Sequence, residues 1–246
     1  MKPKGLSKTI LITGSTSDIG RKIAIRFAKE GWNILCHYNS SRAKAVELKK
    51  VLIKYGGKHE LLRADLSSKN QIQSFKNKLD KFNIDVLVNN AGTYTVSKYF
   101  SELTIEDITK TFMVNTFAPM IISPYLFMRM REHGFGRIVN ISSIAAKYGG
   151  SGFSMHYGCS KRAIEGLTKT LAKEGAKSNV LVNTIRPGVI DTEFHKKFPK
   201  DMQKRISMIP LGKMGTPEDI AEMVFYLGSE RNNFITNEII TIAGGE

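Results

Sequence analysis

Cysteine is nearly absent from this chain: two residues, Cys36 and Cys159, stand far apart and outside any metal-ligand spacing. Neither a disulfide framework nor a metal site is indicated, and a reducing compartment, the cytoplasm, is the expectation. Long apolar runs are missing too. The longest, residues 117–128, is broken by Pro119, Ser123 and Pro124 and is too short for a membrane span. The basic residues 1–9 lead directly into the short apolar run 10–12 rather than into a secretory apolar segment, so no signal peptide is expected. No Pro-, Gly- or Ser-rich linker, low-complexity stretch or internal repeat divides the chain after Lys8. Its 246 residues are therefore expected to form a single domain, 1–246. Acidic residues are scarce: 22 Asp and Glu against 37 Lys and Arg leave a net charge of +15. Such a field draws acidic partners, whether nucleic acid, an acidic carrier protein or the phosphates of a dinucleotide. The basic residues are spread along nearly every expected helix instead of gathering with aromatics on one element, so nucleic acid is not expected as the partner. A solvated basic surface is the plainer reading.

What the sequence does contain is an alternation of two periods. Short apolar runs at residues 9–12, 33–36, 60–62, 86–88, 138–141, 180–185 and 239–242 read as seven strands. Amphipathic patterns at residues 19–30, 43–55, 71–82, 108–132, 156–177 and 217–227 read as helices, the last introduced by Thr216 as an N-cap ahead of Pro217. Strands apolar on both faces and joined by helical crossovers call for a parallel sheet covered on both sides, an α/β, doubly wound, mostly parallel seven-stranded arrangement. Right-handed crossovers fix most of its topology. The ligand cleft of such a sheet opens at the carboxyl ends of the strands, so polar residues just after each strand become the candidates for function.

The first strand runs out into Thr13-Gly14-Ser15-Thr16-Ser17-Asp18-Ile19-Gly20 and straight into a helix. Backbone N–H groups at such a helix N-terminus can hold a pyrophosphate. Gly14 permits the tight turn, and Gly20 lets the helix pack closely on the strand. Asp18 admits two readings. Facing the phosphates, its carboxylate repels them by about 1–3 kcal/mol at an intermediate effective dielectric. Acting as the helix N-cap, it instead bonds backbone N–H groups and faces away from the ligand.

On the helix after the fifth strand, Tyr157 and Lys161 are four residues apart and share a face. A phenol with a pKa of about 10 is a poor base at neutral pH, but a neighbouring ammonium favours the phenolate and makes proton transfer feasible. The fifth strand ends in Asn140-Ile141-Ser142-Ser143, which brings the Ser143 hydroxyl to the cleft edge, where it can hydrogen-bond a substrate carbonyl.

Taken in order, Thr13-Gly14-x-x-x-x-Ile19-Gly20, Asn89-Asn90-Ala91-Gly92, Asn115, Ser143, Tyr157-x-x-x-Lys161 and Arg186-Pro187-Gly188 resemble the short-chain dehydrogenase/reductase family over nearly the whole chain. The resemblance implies a Rossmann sheet and an NAD(P)-dependent oxidoreductase that moves a hydride between nicotinamide and a carbonyl or secondary alcohol. It implies that Tyr157 exchanges the proton, that Lys161 lowers the tyrosine pKa and binds the nicotinamide ribose, that Ser143 orients the carbonyl, and that Asn115 supports a water-linked proton path. The cofactor contacts it implies are Gly14, Ser15, Ser17, Asp18 and Ile19 in the first turn, and Asp65 and Leu66 near the adenine. Further along the chain it implies Asn89, Ala91 and Gly92 beside the adenosine ribose, then Pro187, Gly188, Ile190 and Thr192 after the sixth strand. Asp18 and Asn237 stand where the family usually has glycine, the first bearing on cofactor affinity and the second on a turn near the last strand.

The end of the second strand, Cys36-His37-Tyr38-Asn39-Ser40-Ser41-Arg42, carries no carboxylate to accept the ribose hydroxyls of NAD. Arg42 offers a guanidinium for a 2′-phosphate, so NADP(H) is favoured over NAD(H). Residues 188–215 lack a strand pattern and are rich in Lys and Phe, as expected of a substrate lid, with Phe194, His195 and Phe198 as pocket candidates. Within the family the chain looks most similar to 3-oxoacyl-[acyl-carrier-protein] reductases of fatty acid biosynthesis, whose acidic partner suits a basic surface. Gly134 stands where those reductases often carry a basic docking residue, which keeps small ketones, steroid-like compounds and sugars open as substrates. A catalytically impaired cofactor-sensing or scaffold protein is the reading from a different class. The family resemblance implies a homotetramer built on the helices around Asn115 and Tyr157 and on the last strand.

Overall fold

A computed structural model describes residues 7–196 and 201–246. The first half of the chain alternates β1 Thr9–Ile12, α1 Asp18–Ala28, β2 Asn33–Tyr38, α2 Arg42–Ile53, β3 His59–Arg63, α3 Lys69–Lys78 and β4 Val86–Asn89. It continues with α4 Ile105–Phe112, α5 Ala118–His133, β5 Gly136–Ile141, α6 Ile144–Tyr148, α7 Met155–Gly175 and β6 Val180–Pro187. The short helices α8 Glu193–Lys196 and α9 Met202–Ser207 precede α10 Pro217–Gly228 and β7 Ile239–Ile242. All seven strands pair in parallel in the order β3-β2-β1-β4-β5-β6-β7. The order reverses between β1 and β4, and that is where the cleft opens.

Alternation within each strand sends side chains to two separate cores. Ile10, Ile12, Ile34, Val86 and Val88 pack under α1, α2 and α10, while Leu11, Leu35, Leu87 and Val182 pack under α3, α5 and α7. Phe27 is wholly buried in the first core, edge-on to Trp32 at 5.1 Å and to Phe225 at 5.0 Å. Thr216 caps α10 as expected, in a reciprocal capping box with Asp219.

The single helix expected over residues 108–132 is two. A π-helical turn, Met113–Phe117, separates α4 from α5. Pro119 has no N–H to return to the carbonyl of Asn115, and Pro124 repeats the defect inside α5, so the regular ladder gives way to a wider turn. This turn sets the direction of Asn115 and Thr116, both buried. Among the described residues, Ile105–His133 is the one helical stretch long and apolar enough by length and composition to cross a membrane, and half of its most apolar window is buried against the rest of the fold. β2 runs two residues beyond the expected strand because His37 and Tyr38 are buried in register with Leu62 and Arg63. The short helix α6 was not expected from the sequence. Gly134 takes φ +67° as the left-handed C-cap of α5, and Asn237 adopts φ +67° in the turn where the family usually has glycine.

Candidate active site

The turn between β1 and α1 is fixed by groups that the sequence did not single out. Gly14 sits at φ +64°, and a Cβ there would come within 2.9 Å of the Ala91 backbone. A Cβ at Gly20 would lie 2.4 Å from the Gly14 carbonyl. The Gly14 N–H donates to Nδ1 of His37 at 3.0 Å, and the other ring nitrogen lies 3.1 Å from the Ala64 carbonyl. Because a carbonyl only accepts, Nε2 carries the proton and Nδ1 is free to accept. Burial pushes His37 down to about 4, so the ring is neutral at physiological pH. Asn90 braces the same turn, its amide nitrogen reaching the carbonyls of Thr13 and Gly14 at 2.9 and 3.0 Å and Ser17 Oγ at 3.2 Å.

Two of the turn residues depart from expectation. Ser15 is wholly buried, and its N–H and hydroxyl both donate to the His37 carbonyl, at 2.9 and 3.1 Å, so it faces the interior rather than the cleft. The helix N-cap is Ser17, which accepts from the Gly20 N–H, and not Asp18. The Asp18 carboxylate instead accepts the backbone N–H of Glu193 at 2.8 Å, tying the phosphate turn to the start of α8.

From this turn a cleft of about 1700 Å³ runs along the carboxyl edge of the sheet. Gly14, Ser17, Asp18 and Ile19 line it at the turn, Asp65 and Leu66 at the end of β3, and Ala91 and Gly92 after β4. Pro187, Gly188, Ile190 and Thr192 line it after β6. Asp65 is oriented by the N–H and hydroxyl of Ser67, at 2.9 and 2.7 Å. Arg42 is the first residue of α2, is exposed, and does not line the cleft; Asn39, Ser40, Ser41 and Lys44 do. Asn89 does not line it either. It is buried, with its amide donating to Ser123 at 2.8 Å and to Asn140 at 2.7 Å, and it joins β4 to α5 and β5.

At the far end stand Ser143, Tyr157 and Lys161. Ser143 caps α6, its hydroxyl accepting the Ala145 N–H at 3.1 Å, and it lines the cleft together with Tyr157. Lys161 is buried, and its ammonium donates to the Ile141 carbonyl at 2.8 Å and lies 5.9 Å from the Tyr157 ring centre. A Cβ on Gly92 would come within 3.0 Å of that ammonium, so a larger residue there would press on Lys161. Burial pushes the phenol up, opposed by the nearby Ser143 hydroxyl, and it pushes the Lys161 ammonium down to about 8. Lys161 is thus not what governs the phenol of the protein alone: desolvation is, and the tyrosine is a protonated donor at neutral pH. Asn115 stands behind the cleft rather than in it. Its amide oxygen accepts the Thr93 N–H at 2.7 Å, and its nitrogen donates to the Thr93 carbonyl and to Ser160, both at 2.9 Å.

An aromatic wall closes over the phenol. Tyr94 lies 5.8 Å from Tyr157, and Phe194 lies 6.0 Å from Tyr157 and 6.4 Å from Tyr94, measured between ring centres. Phe194 therefore lines the pocket as expected, whereas Phe198 and the side chain of His195 lie outside the described residues. Tyr94, His37 and Lys44 were missed in the sequence, and Asn90 was read only as part of the Asn89-Asn90-Ala91-Gly92 segment. Only His37 had a local signal, as a polar residue at the end of an apolar strand.

A turn too tight for a Cβ, a strand end without a carboxylate, and a cleft leading from it to a phenol beside Ser143 and Lys161 fit an extended dinucleotide with its nicotinamide end at Tyr157. The comparisons agree. Residues 14–246 match a family model described as enoyl-(acyl carrier protein) reductase. The chain is 38% identical to a 3-oxoacyl-[acyl-carrier-protein] reductase of Aquifex aeolicus, over 100% of this chain and 99% of that one. It is 34% identical to an acetoacetyl-CoA reductase of Rhizobium meliloti, over 98% and 99%. A Beutenbergia cavernae protein, assigned as an NAD(P)-dependent gluconate 5-dehydrogenase and solved with NADP at low occupancy, superposes with a TM-score of 0.91 at 30% identity, covering 98% of this chain and 97% of that one. The chain belongs to the short-chain dehydrogenase/reductase family and is an NAD(P)-dependent oxidoreductase.

Proposed function

We propose that this chain reduces a 3-oxoacyl thioester, carried on acyl carrier protein or coenzyme A, with NADPH as reductant. The observation that carries the reading is the half-buried, protonated Tyr157 phenol, which shares the end of the cleft with Ser143 and Lys161 beneath an aromatic wall. The bound nicotinamide supplies the hydride that reaches the carbonyl carbon. Ser143 donates to the carbonyl oxygen and holds it beside the phenol. Tyr157 gives that oxygen its proton as negative charge develops there. Lys161, held by the Ile141 carbonyl, faces the phenolate left behind and stabilises it, and Asn115 supports the return of the proton from behind Lys161. The turn with Gly14, Ser17, Asp18 and Ile19 would hold the pyrophosphate, and Asp65 and Leu66 would hold the adenine.

Ser40, Ser41 and Lys44 are the groups that favour the 2′-phosphate of NADP(H), taking the place expected of Arg42. Residues 188–215 act as the substrate lid, and the functional unit is a cytoplasmic homotetramer. Tyr94, Phe153 and Phe194 at the cleft favour an acyl chain over the hydroxyl-rich substrate in the name of the gluconate dehydrogenase. The relatives named for acyl-carrier-protein and coenzyme A substrates point the same way. NADPH consumption with acetoacetyl-carrier protein, acetoacetyl-CoA and 5-ketogluconate tests this: the two thioesters are turned over and the sugar acid is not. Turnover of the sugar acid alone overturns the substrate assignment, and function that survives Tyr157→Phe favours a scaffold.

A further inference from the structure

Tyr157, Lys161 and Glu165 follow one another at intervals of four along α7 and so lie on one face of the helix. The first two reach the cleft; Glu165 does not, and its side chain is 3% exposed. A carboxylate so far from water has to be compensated. Its Oε1 accepts from Nε of Arg186 at 2.6 Å and from the Ser142 hydroxyl at 2.8 Å. Its Oε2 accepts from Nη2 of Arg186 at 2.6 Å and from Nη1 of Arg162 at 3.2 Å. Arg186, near the end of β6, is 13% exposed, whereas Arg162 is 64% exposed and well screened. Among the described residues, the charges facing Glu165 are thus Arg186 from β6 and Arg162 and Lys161 from α7, with β5 contributing the Ser142 hydroxyl.

Stability alone does not account for such a pair, since well-packed apolar residues often serve a buried position as well. Its location does. Ser142 Oγ lies between Glu165 and the Lys161 carbonyl, which is 3.1 Å away, and the Ser142 N–H donates to the Ile185 carbonyl at 2.8 Å. On one side Ser142 is joined to Ile141, whose carbonyl anchors the Lys161 ammonium; on the other it is joined to Ser143, which lines the cleft with Tyr157. One residue therefore links the anchor of the lysine to the hydroxyl that orients the carbonyl. We propose that Glu165 and Arg186 are positioning residues: a neutral buried clamp that fixes Ser142, and through it Lys161 and Ser143, while keeping unbalanced charge away from Tyr157 and Lys161. The proposal rests on reading those two residues as the proton-transfer pair.

The test is the pH profile of kcat for NADPH-dependent reduction of acetoacetyl-CoA by the parent, Glu165→Gln, Arg186→Gln and the double variant, all as full chains. Glu165→Gln strands a cation beside the site, which favours phenolate and disfavours ammonium, so the apparent pKa moves down. Arg186→Gln strands a carboxylate and moves it up. Each shift is about one unit, as expected for an unbalanced charge near the site at an intermediate effective dielectric, and the double variant returns to the parent value. A pair with a structural role alone lowers the thermal midpoint and leaves the apparent pKa unmoved, or moves it the same way in both single variants; either result overturns the clamp. If Arg186→Gln does not fold, Glu165→Gln against the double variant decides the matter, because the downward shift has to vanish in the double. An active parent with unshifted variants rejects the clamp alone, whereas a parent inactive on every carbonyl rejects the clamp together with the reading of Tyr157 and Lys161.

Discussion

His37 shows how one side chain can tie cofactor binding to pH. It accepts the Gly14 N–H, donates to Ala64, and is held neutral by burial. The unfolded chain takes up this proton below about 6.5 and the folded chain only below about 4, so the unfolded state binds more protons between those values. Stability is therefore full above 6.5 and falls as the pH drops towards 4, by up to about 3 kcal/mol. Urea midpoints measured from pH 7 to pH 4 check this, and His37→Gln is expected to flatten the dependence. At the other end of the cleft, Lys161 loses its proton as the pH rises through about 8, so carbonyl reduction is expected to be level near neutrality and to decline above that value. Ser143, Tyr157 and Lys161 were legible because their spacing alone puts them at one strand end and on one helix face. Ser15, Asn89 and Arg42 were misjudged because side-chain direction after a strand end depends on backbone geometry that no spacing reveals. Asn90, one residue from Asn89, turns towards the glycine turn while Asn89 turns into the sheet.

Between elements, the contact of Asp18 with Glu193 links the phosphate turn to α8 and so to Phe194 over the phenol. Its charge and its hydrogen bond can be separated. Asp18→Asn keeps an acceptor and removes the charge; Asp18→Gly removes both. If the bond to Glu193 matters, stopped-flow release of NADPH is several-fold faster from Asp18→Gly than from Asp18→Asn, whereas equal rates in the two variants leave only charge repulsion at work. Phe27→Ala removes a fully buried side chain held between Trp32 and Phe225 and is expected to cost about 3–5 kcal/mol by chemical denaturation. The seven strands were legible from their apolar runs to within a few residues. The π-turn at Met113–Phe117 was not, because a wider turn keeps an apolar pattern close to that of a continuous helix.

At the scale of the whole molecule, the π-turn and α5 leave Phe117, Met120, Ile121 and Met128 exposed on the surface proposed to join subunits. Light scattering is expected to give the mass of four chains, and a monomer mass counts against the proposed assembly. The net charge of +15 implies that the KM for an acidic carrier-protein substrate rises steeply with ionic strength, more than the KM for the coenzyme A thioester. Composition made the steering legible, but not the docking site. The position expected to carry a basic docking residue is Gly134, whose left-handed backbone serves to end α5.

The central claim, that Tyr157 protonates a carbonyl reduced by NADPH, is tested most directly by comparing the parent with Tyr157→Phe for NADPH binding by fluorescence and for acetoacetyl-CoA-dependent NADPH oxidation. Both proteins are expected to bind NADPH with similar affinity, and turnover is expected to fall by about 10²–10⁴-fold in the variant. Equal turnover in the two proteins, or a parent that does not bind NADPH, would contradict it.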